Sequence, residues 1–300
     1  MASTLALFFL LLIAGYLARR FARFPDSAAD VLNRFVIDVC VPAAILRLVP
    51  GLTLRAELSL LAIVPWLSAG VAYALSHVLS KPLALDRGAR TTLFLCVGLG
   101  NTSFLGFPLC AALLGDASVP LAAVYDQLGS FMLVSTVGVV AIARATGGKA
   151  PSLGSTARRI VTFPPFVALV LALLPFSHPA WLDDALTKIG AALVPVAMFA
   201  VGLRTRITPP DNARALVVGL GLKLVLMPLL ALGFATLVGA SHDVLAVAVL
   251  ETAMPPMITA GALAMAAGLA PDLAAAFVGW GIVLGLFSVP AWAALLTQLR

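Results

Sequence analysis

Two long apolar stretches of this chain are each broken by a polar, proline-bearing segment, at corresponding places in its two halves. Residues 100–108 read GNTSFLGFP and residues 251–256 read ETAMPP, so Asn101-Thr102 precedes Glu251-Thr252 by 150 positions in a chain of 300. Proline in a helix removes an amide donor and clashes with the carbonyl four residues earlier. Pro108 therefore frees the carbonyl of Phe104, Pro255 that of Glu251 and Pro256 that of Thr252. In hydrocarbon a loose carbonyl needs a partner, and irregular backbone at membrane depth is tolerated only inside protein or along a watery cavity. A matched pair of broken helices, one in each half, points to the binding site of a transporter.

The environment follows from composition. The chain is 62% hydrophobic and 11% charged, against roughly 25% charged in a soluble domain. Its mean hydropathy is +1.09. Those values describe a polytopic membrane protein. A net charge of +6 raises the question of nucleic acid, but the basic residues stand at helix ends and not in a stripe between aromatics, which excludes that partner. Cys40, Cys96 and Cys110 all fall in apolar segments without metal-ligand spacing and are expected to be small buried residues. The first apolar run, in MASTLALFFLLLIAGYLARR, is followed by its basic residues and not preceded by them, so it is expected to stay as a membrane helix.

Ten apolar runs of about spanning length can be placed, at 3–18, 35–50, 58–79, 91–114, 119–143, 160–176, 189–203, 215–238, 244–266 and 274–296. The second, sixth and seventh are short. The loops after odd-numbered runs carry fourteen basic residues, Arg19, Arg20, Arg23, Arg34, Lys81, Arg87, Arg90, Arg144, Lys149, Arg158, Arg159, Arg204, Arg206 and Arg214. The opposite side carries four, Arg47, Arg55, Lys188 and Arg300. The asymmetry puts the odd-numbered loops in the cytoplasm and both termini outside. Five helices per half is an odd number, so the second half enters from the opposite face, as an inverted repeat. Short matches occur in the same order in both halves: Val41-Pro42-Ala43-Ala44 with Val194-Pro195-Val196-Ala197, Pro65 with Pro228, and Leu121-Ala122-Ala123 with Leu273-Ala274-Ala275. The expected organisation is a first five-helix repeat over 1–144, a cytoplasmic linker over 145–156, and a second, inverted repeat over 157–300.

Charges inside spans are costly, which makes Asp38, Asp126, Lys223 and Glu251 the candidates for function. Asp38 lies near the start of its run, facing headgroup water or the basic loop. Lys223 is about two turns into its run, within snorkelling reach of the cytoplasm. Glu251 stands at the onset of the second break. Its carboxylate, the freed carbonyls, Thr252 and the Asn101-Thr102-Ser103 cluster are hard oxygen ligands of the kind an alkali cation requires. Asp126, beside Gln127, is the second acid, with a water-wetted position on the outer side as its plain alternative. Beyond Gly100 the amides of the restarting half-helix attract an anionic group, and a substrate carboxylate fits. Asn101, Thr102, Ser103, Gln127, Thr252 and Met257 are the candidate substrate-binding residues. Asn101, Thr102, Asp126 and Glu251 are the candidates for coupling to a sodium ion or a proton. Gly100, Pro108, Pro255 and Pro256 define the breaks. Gly281 and Gly285 have the spacing of ordinary small-residue helix packing. His77, His178 and His242 sit near span ends, and no hydrolase, Walker or zinc signature occurs, so no catalytic residue and no enzyme activity is expected. A receptor built on a transporter fold and an intramembrane hydrolase using two acids are the competing function classes.

The segments GNTSFLGFPL, AVYDQLGSF, VPVAMFAVGL and ETAMPPMITAGALA resemble the auxin efflux carrier family in its compact prokaryotic form, over essentially the whole chain. The resemblance implies a relation to the bile acid/sodium symporter superfamily. It implies an all-α fold of ten helices in two inverted repeats, with broken helices 4 and 9 crossing at the midplane, and an elevator-like motion. Helices 1, 2, 6 and 7 would form a scaffold, with a homodimer contact through helices 2 and 7, and helices 3–5 and 8–10 a transport domain. Asn101 matches the asparagine that meets the substrate carboxylate in plant carriers, and Pro108 and Pro255 the crossover prolines. Glu251 stands where the plant carriers have a neutral residue and the sodium-coupled bile acid carriers a glutamate, followed here by Pro255 in place of an amide side chain. One sodium site, at Asn101, Thr102, Asp126 and Glu251, is implied. The expected function is secondary transport of a small organic anion, a carboxylate, a dicarboxylate or an auxin-like aromatic acid, in a bacterial inner membrane.

Overall fold

Apolar runs without strand alternation satisfy their backbone polar groups internally only as helices. In a computed structural model, residues 2–299 are described except 22, 23, 26, 53, 54, 175–178 and 206–211; Arg23, Arg206, Arg300 and His178 therefore lie outside the described residues. Among the described residues the chain is all-helical, with no strand beyond a single bridge between Gly100 and Pro256.

We number the helices α1 (Ala2–Phe21), α2 (28–48), α3 (Ala56–Val78), α4 (Arg87–Gly98), α5 (Thr102–Leu114), α6 (Asp116–Thr146), α7 (Leu153–Val161), α8 (Pro164–Ala172), α9 (Ala180–Arg204), α10 (Ala213–Leu237), α11 (His242–Thr252), α12 (Ile258–Ala266) and α13 (Pro271–Gln298). Among the described residues, α3, α6, α9, α10 and α13 are long and apolar enough to cross a membrane, and α5 is a shorter apolar helix. The runs expected at 91–114 and 244–266 are each two helices, as their prolines and glycines require.

Three expectations about boundaries need correction. The seventh run is not short, because α9 begins at Ala180 with an amphipathic turn in which Lys188 Nζ donates to Asp184 Oδ2 at 2.6 Å, a surface charge pattern outside any apolar window. The second begins at Ala28 for the same reason, with Arg34 pairing with Asp38 at 3.1 Å; this also gives Asp38 its plain interfacial role. The linker expected over 145–156 is partly helical, since α7 starts at Leu153 and closes with Arg158 and Arg159 in its last turn.

Contacts divide the chain into two units. The first comprises 1–55, 103–123 and 161–205. In it α1 and α9 approach backbone to backbone: a Cβ on Gly15 would lie 2.2 Å from the Phe199 carbonyl oxygen, and one on Gly202 would lie 2.1 Å from that of Leu12. Reciprocal small residues permit that distance. Phe24 stacks edge-on to Phe199, Arg204 pairs with Asp30, and Arg19 Nη1 donates to the Thr205 carbonyl at 3.2 Å.

The second unit comprises 56–102, 124–160 and 206–300. Its core gathers Phe94, Leu95, Leu220, Met227, Leu273 and Phe277. Two mid-helix prolines of this unit, Pro65 and Pro228, are accommodated in identifiable ways. The ring of Pro65 lies where a side chain on Gly129 would be, 2.1 Å from an ideal Cβ there, and Trp66 Nε1 donates to the neighbouring Leu128 carbonyl at 3.1 Å. Pro228 removes the helical donor to the Leu224 carbonyl, and the Trp292 indole replaces it at 2.9 Å. The helices that carry the candidate polar residues include π-helical turns, at Thr102–Gly106, Asp126–Ser130 and Leu222–Leu226. Such turns widen a helix and recur at functional sites.

Candidate functional site

The two breaks meet within the second unit. Where helix α4 ends at Gly98 and α11 at Thr252, the chains run extended and pair as a two-residue antiparallel ladder: Asn101 N donates to the Pro255 carbonyl at 2.8 Å, and Met257 N to the Leu99 carbonyl at 2.9 Å. Gly100 faces Pro256 between these bonds. The ladder thus pairs the Asn101 and Met257 amides with the Pro255 and Leu99 carbonyls across the two breaks. The anion-attracting amides expected beyond Gly100 are reduced accordingly, because the Asn101 amide is used in this ladder.

Gly281 and Gly285 do more than pack helices. An ideal Cβ on Gly281 would lie 2.4 Å from Pro256 Cδ, and one on Gly285 would lie 2.3 Å from Pro255 Cγ. The two glycines of α13 form a recess for the two prolines.

Around the ladder the polar side chains are almost wholly buried. Asn101 and Thr252 are 1% exposed, and Thr102, Asp126, Gln127 and Glu251 are 0% exposed. Asp126 is therefore not wetted from outside. It accepts a short hydrogen bond from Thr102 and another from Gln127 Nε2 at 2.5 Å. Thr252 Oγ1 donates to the Ala248 carbonyl at 2.7 Å, so its single proton is used and Tyr125 is the donor in the 2.8 Å contact between the two hydroxyls. Two polar atoms in this shell have no hydrogen-bond partner among the described residues, Asn101 Nδ2 and Gln127 Oε1. Buried polar groups are normally paired, so an unpaired donor and an unpaired acceptor here suit a ligand. Ser103 and Pro108 belong to the first unit.

Lys223 overturns its expected role. It does not snorkel: the residue is 3% exposed, and its ammonium donates at 3.1 Å to the Thr252 carbonyl, the one released by Pro256. An ideal Cβ on Gly100 would lie 3.1 Å from Lys223 Nζ and 3.3 Å from the Glu251 carbonyl oxygen, so the absence of a side chain there lets the lysine lie close against the crossing. Glu251 acts on this ammonium electrostatically. The Glu251 carbonyl, freed by Pro255, accepts from Met254 N at 3.2 Å. Among the described residues no group of three His, Cys, Asp or Glu side chains gathers for a metal. Cys40, Cys96 and Cys110 are buried and form no disulfide.

The family model for membrane transport proteins matches residues 1–164 and 152–293. The chain belongs to this membrane transport protein family, that of the auxin efflux carriers. Within the family, an "Uncharacterized transporter" of Methanothermobacter thermautotrophicus is 26% identical over 95% of both chains. The "Uncharacterized transporter YfdV" of Escherichia coli K12 is 26% identical over 82% of each. A Rhizobium meliloti protein called "Putative malonate transporter" is 29% identical over 67% of this chain and 66% of its own. This auxin efflux carrier homologue is accordingly a multi-pass membrane transporter and not an enzyme, which sets aside the intramembrane hydrolase.

Two members of the site escaped the sequence reading, the placement of Lys223 and the part of Tyr125. For Lys223 a signal existed. The carbonyl freed by Pro256 needs a donor at membrane depth, and Lys223 is the only lysine inside a predicted span. For Tyr125 no signal distinguishes it from any other core aromatic.

Proposed function

We propose that this transporter carries a small organic anion, a carboxylate or dicarboxylate, across a bacterial inner membrane by elevator-type alternating access. The observation that carries the reading is the crossing of the two breaks, with an unpartnered Asn101 amide and a buried lysine ammonium beside it. An amide donor and a fixed positive charge in a dry site are what a carboxylate needs. The name of the Rhizobium relative favours a dicarboxylate. Asn101, Thr102, Gln127, Thr252 and Met257 are the proposed substrate contacts within the second unit. That unit is the proposed moving body, and the first the scaffold and dimer contact. The proposed arrangement is ten membrane crossings in two inverted repeats with both termini outside; a reporter fused after Arg300 is expected on the non-cytoplasmic side, and a cytoplasmic reporter would remove the inversion.

The coupling charge is proposed to be balanced within the chain. Asn101, Thr102, Asp126 and Glu251 offer oxygen ligands for a sodium ion, yet Thr102 and Gln127 already donate to Asp126, and the Lys223 ammonium stands beside the ladder. A tethered cation of this kind replaces a bound sodium ion in neutralising Glu251 and the substrate. A proton then remains as the coupling ion.

Proteoliposomes loaded with the purified protein test the substrate. Malonate and other dicarboxylates should be taken up and exchanged, and Asn101→Ala should weaken binding by about 1.5–3 kcal/mol, the range for one hydrogen bond to a charged group, without lowering the yield of folded protein. Unchanged affinity in Asn101→Ala would place the carboxylate elsewhere. Binding without flux would turn the protein into a receptor.

A further inference from the structure

A cavity in the second unit, away from the ladder, has no part in the transport reading. It encloses about 580 Å³ between α3, α4 and the last turns of α6. Three guanidiniums line one end, those of Arg87 and Arg90 in the first turn of α4 and of Arg144 in the last turn of α6. Among the described residues none of the three pairs with a carboxylate. Arg87 donates to the Arg144 carbonyl, and Asp86, which precedes it, accepts from the Ala89 amide at 2.7 Å as the cap of α4. Ser76, His77 and Thr91 are the other polar members of the lining, and the rest of the wall is apolar and aromatic, with Trp66, Tyr73, Phe94 and Val137. Trp66, Tyr73 and Val137 are 43%, 50% and 38% exposed, on segments long and apolar enough to cross a membrane.

Arginine gathered without acidic partners is a recognition device for phosphate, which it binds in a planar, bidentate manner. The cationic end lies beside loops 79–86 and 147–152, on the side that the positive-inside count assigns to the cytoplasm, where anionic headgroups lie. A soluble phosphate would leave the apolar limb unfilled, whereas a lipid fills both parts. The volume also falls within the range of about 300–1,000 Å³ for small-molecule pockets, enough for a headgroup and part of an acyl chain.

We infer that Arg87, Arg90 and Arg144 hold the phosphate of an acidic phospholipid, with an acyl chain lying along Trp66, Phe94 and Val137. The site is a lipid site on the second unit, separate from the substrate ladder. The inference does not depend on which anion is carried.

The test uses the full-length protein in nanodiscs and by native mass spectrometry, with phosphatidylglycerol and cardiolipin as probes against phosphatidylcholine. The wild type should retain the acidic lipids and unfold at a higher temperature in their presence. Arg90→Gln with Arg144→Gln leaves the Arg87 bond in place and should lower acidic-lipid affinity about tenfold to thirtyfold, the scale for two basic residues at a membrane surface. Arg90→Lys with Arg144→Lys should recover most of it, and Val137→Trp, which fills the apolar limb, should expel the lipid with all three arginines intact. Glycerol phosphate and inorganic phosphate are the controls for the second source of this chemistry. Equal retention of acidic and neutral lipid, an unaffected glutamine variant, or protection by glycerol phosphate equal to that by lipid would overturn the inference.

Discussion

The double substitution Gly281→Ala with Gly285→Ala should stop transport. The two new methyl groups would lie 2.4 Å from Pro256 Cδ and 2.3 Å from Pro255 Cγ, where carbon atoms at rest keep about 3.5–4.0 Å. The prolines are held in the ladder by the Asn101 and Met257 amides and cannot retreat without breaking it. Overpacking of this kind costs about 1–3 kcal/mol per site. The substrate contacts on both sides of the ladder would shift by about 1 Å, a displacement that costs roughly a hundredfold in a preorganised site. Initial uptake rates in proteoliposomes should fall by that factor, and the unfolding temperature should drop by several degrees while the protein still folds. Gly221→Ala and Gly233→Ala on α10 are the matched controls, since nothing lies within 4 Å of an ideal Cβ at either position. There the helix should gain about 0.5–1 kcal/mol and transport should be unaffected. Uptake at wild-type rates in the Gly281/Gly285 variant would show that the proline recess has no part in the cycle.

The contrast between those two pairs of glycines also marks what a sequence can and cannot disclose. Pro255 and Pro256 announce a break because proline forbids the helical bond wherever it occurs, and Asn101 and Glu251 stand out because polar groups at membrane depth are rare. Those are local rules, and they located both breaks to within a few residues: the first is confined to 99–101, with Ser103 and Pro108 inside α5, and the second begins after Thr252, with Glu251 still in α11. Gly281 and Gly285 looked like any small-residue packing pair, because the identity of the partner in the groove is fixed by tertiary contact and leaves no trace in local pattern. Boundaries failed for a related reason. The start of α9 is amphipathic, with Asp183, Asp184 and Lys188 on a helix whose later turns are apolar, so a hydropathy window cannot see it as one element. Lys223 was misplaced because reach was judged along its own helix; the acceptor it finds, the Thr252 carbonyl, is 29 residues away in the chain. Asking which donor meets each proline-freed carbonyl would have located it, as it would have paired Trp292 with Leu224.

That lysine carries the other large effect. Taking two charges out of water costs several kcal/mol per ion, and removing one of two buried charges of opposite sign that share a site leaves the other less compensated. Lys223→Gln should therefore lower the unfolding temperature, and so should Glu251→Gln. Carrying both together should recover part of the loss, with a coupling of about 0.5–3 kcal/mol between sites that share one electrostatic environment. Transport separates the roles further. Wild-type uptake should be indifferent to a sodium gradient and should respond to a proton gradient. In Lys223→Gln, the Glu251 carboxylate and the Asn101, Thr102 and Asp126 oxygens face an anionic substrate without the tethered cation, so uptake should become dependent on added sodium. Glu251→Gln keeps the size and hydrogen-bonding capacity of the side chain but removes its charge, and should abolish the response to the proton gradient while leaving substrate binding in place. Measured with and without each gradient, the four proteins give a definite answer. If the wild type already requires sodium and Lys223→Gln leaves that requirement unchanged, the ion has its own site at Asn101, Thr102, Asp126 and Glu251, and the lysine serves only to close the carbonyl that Pro256 opens.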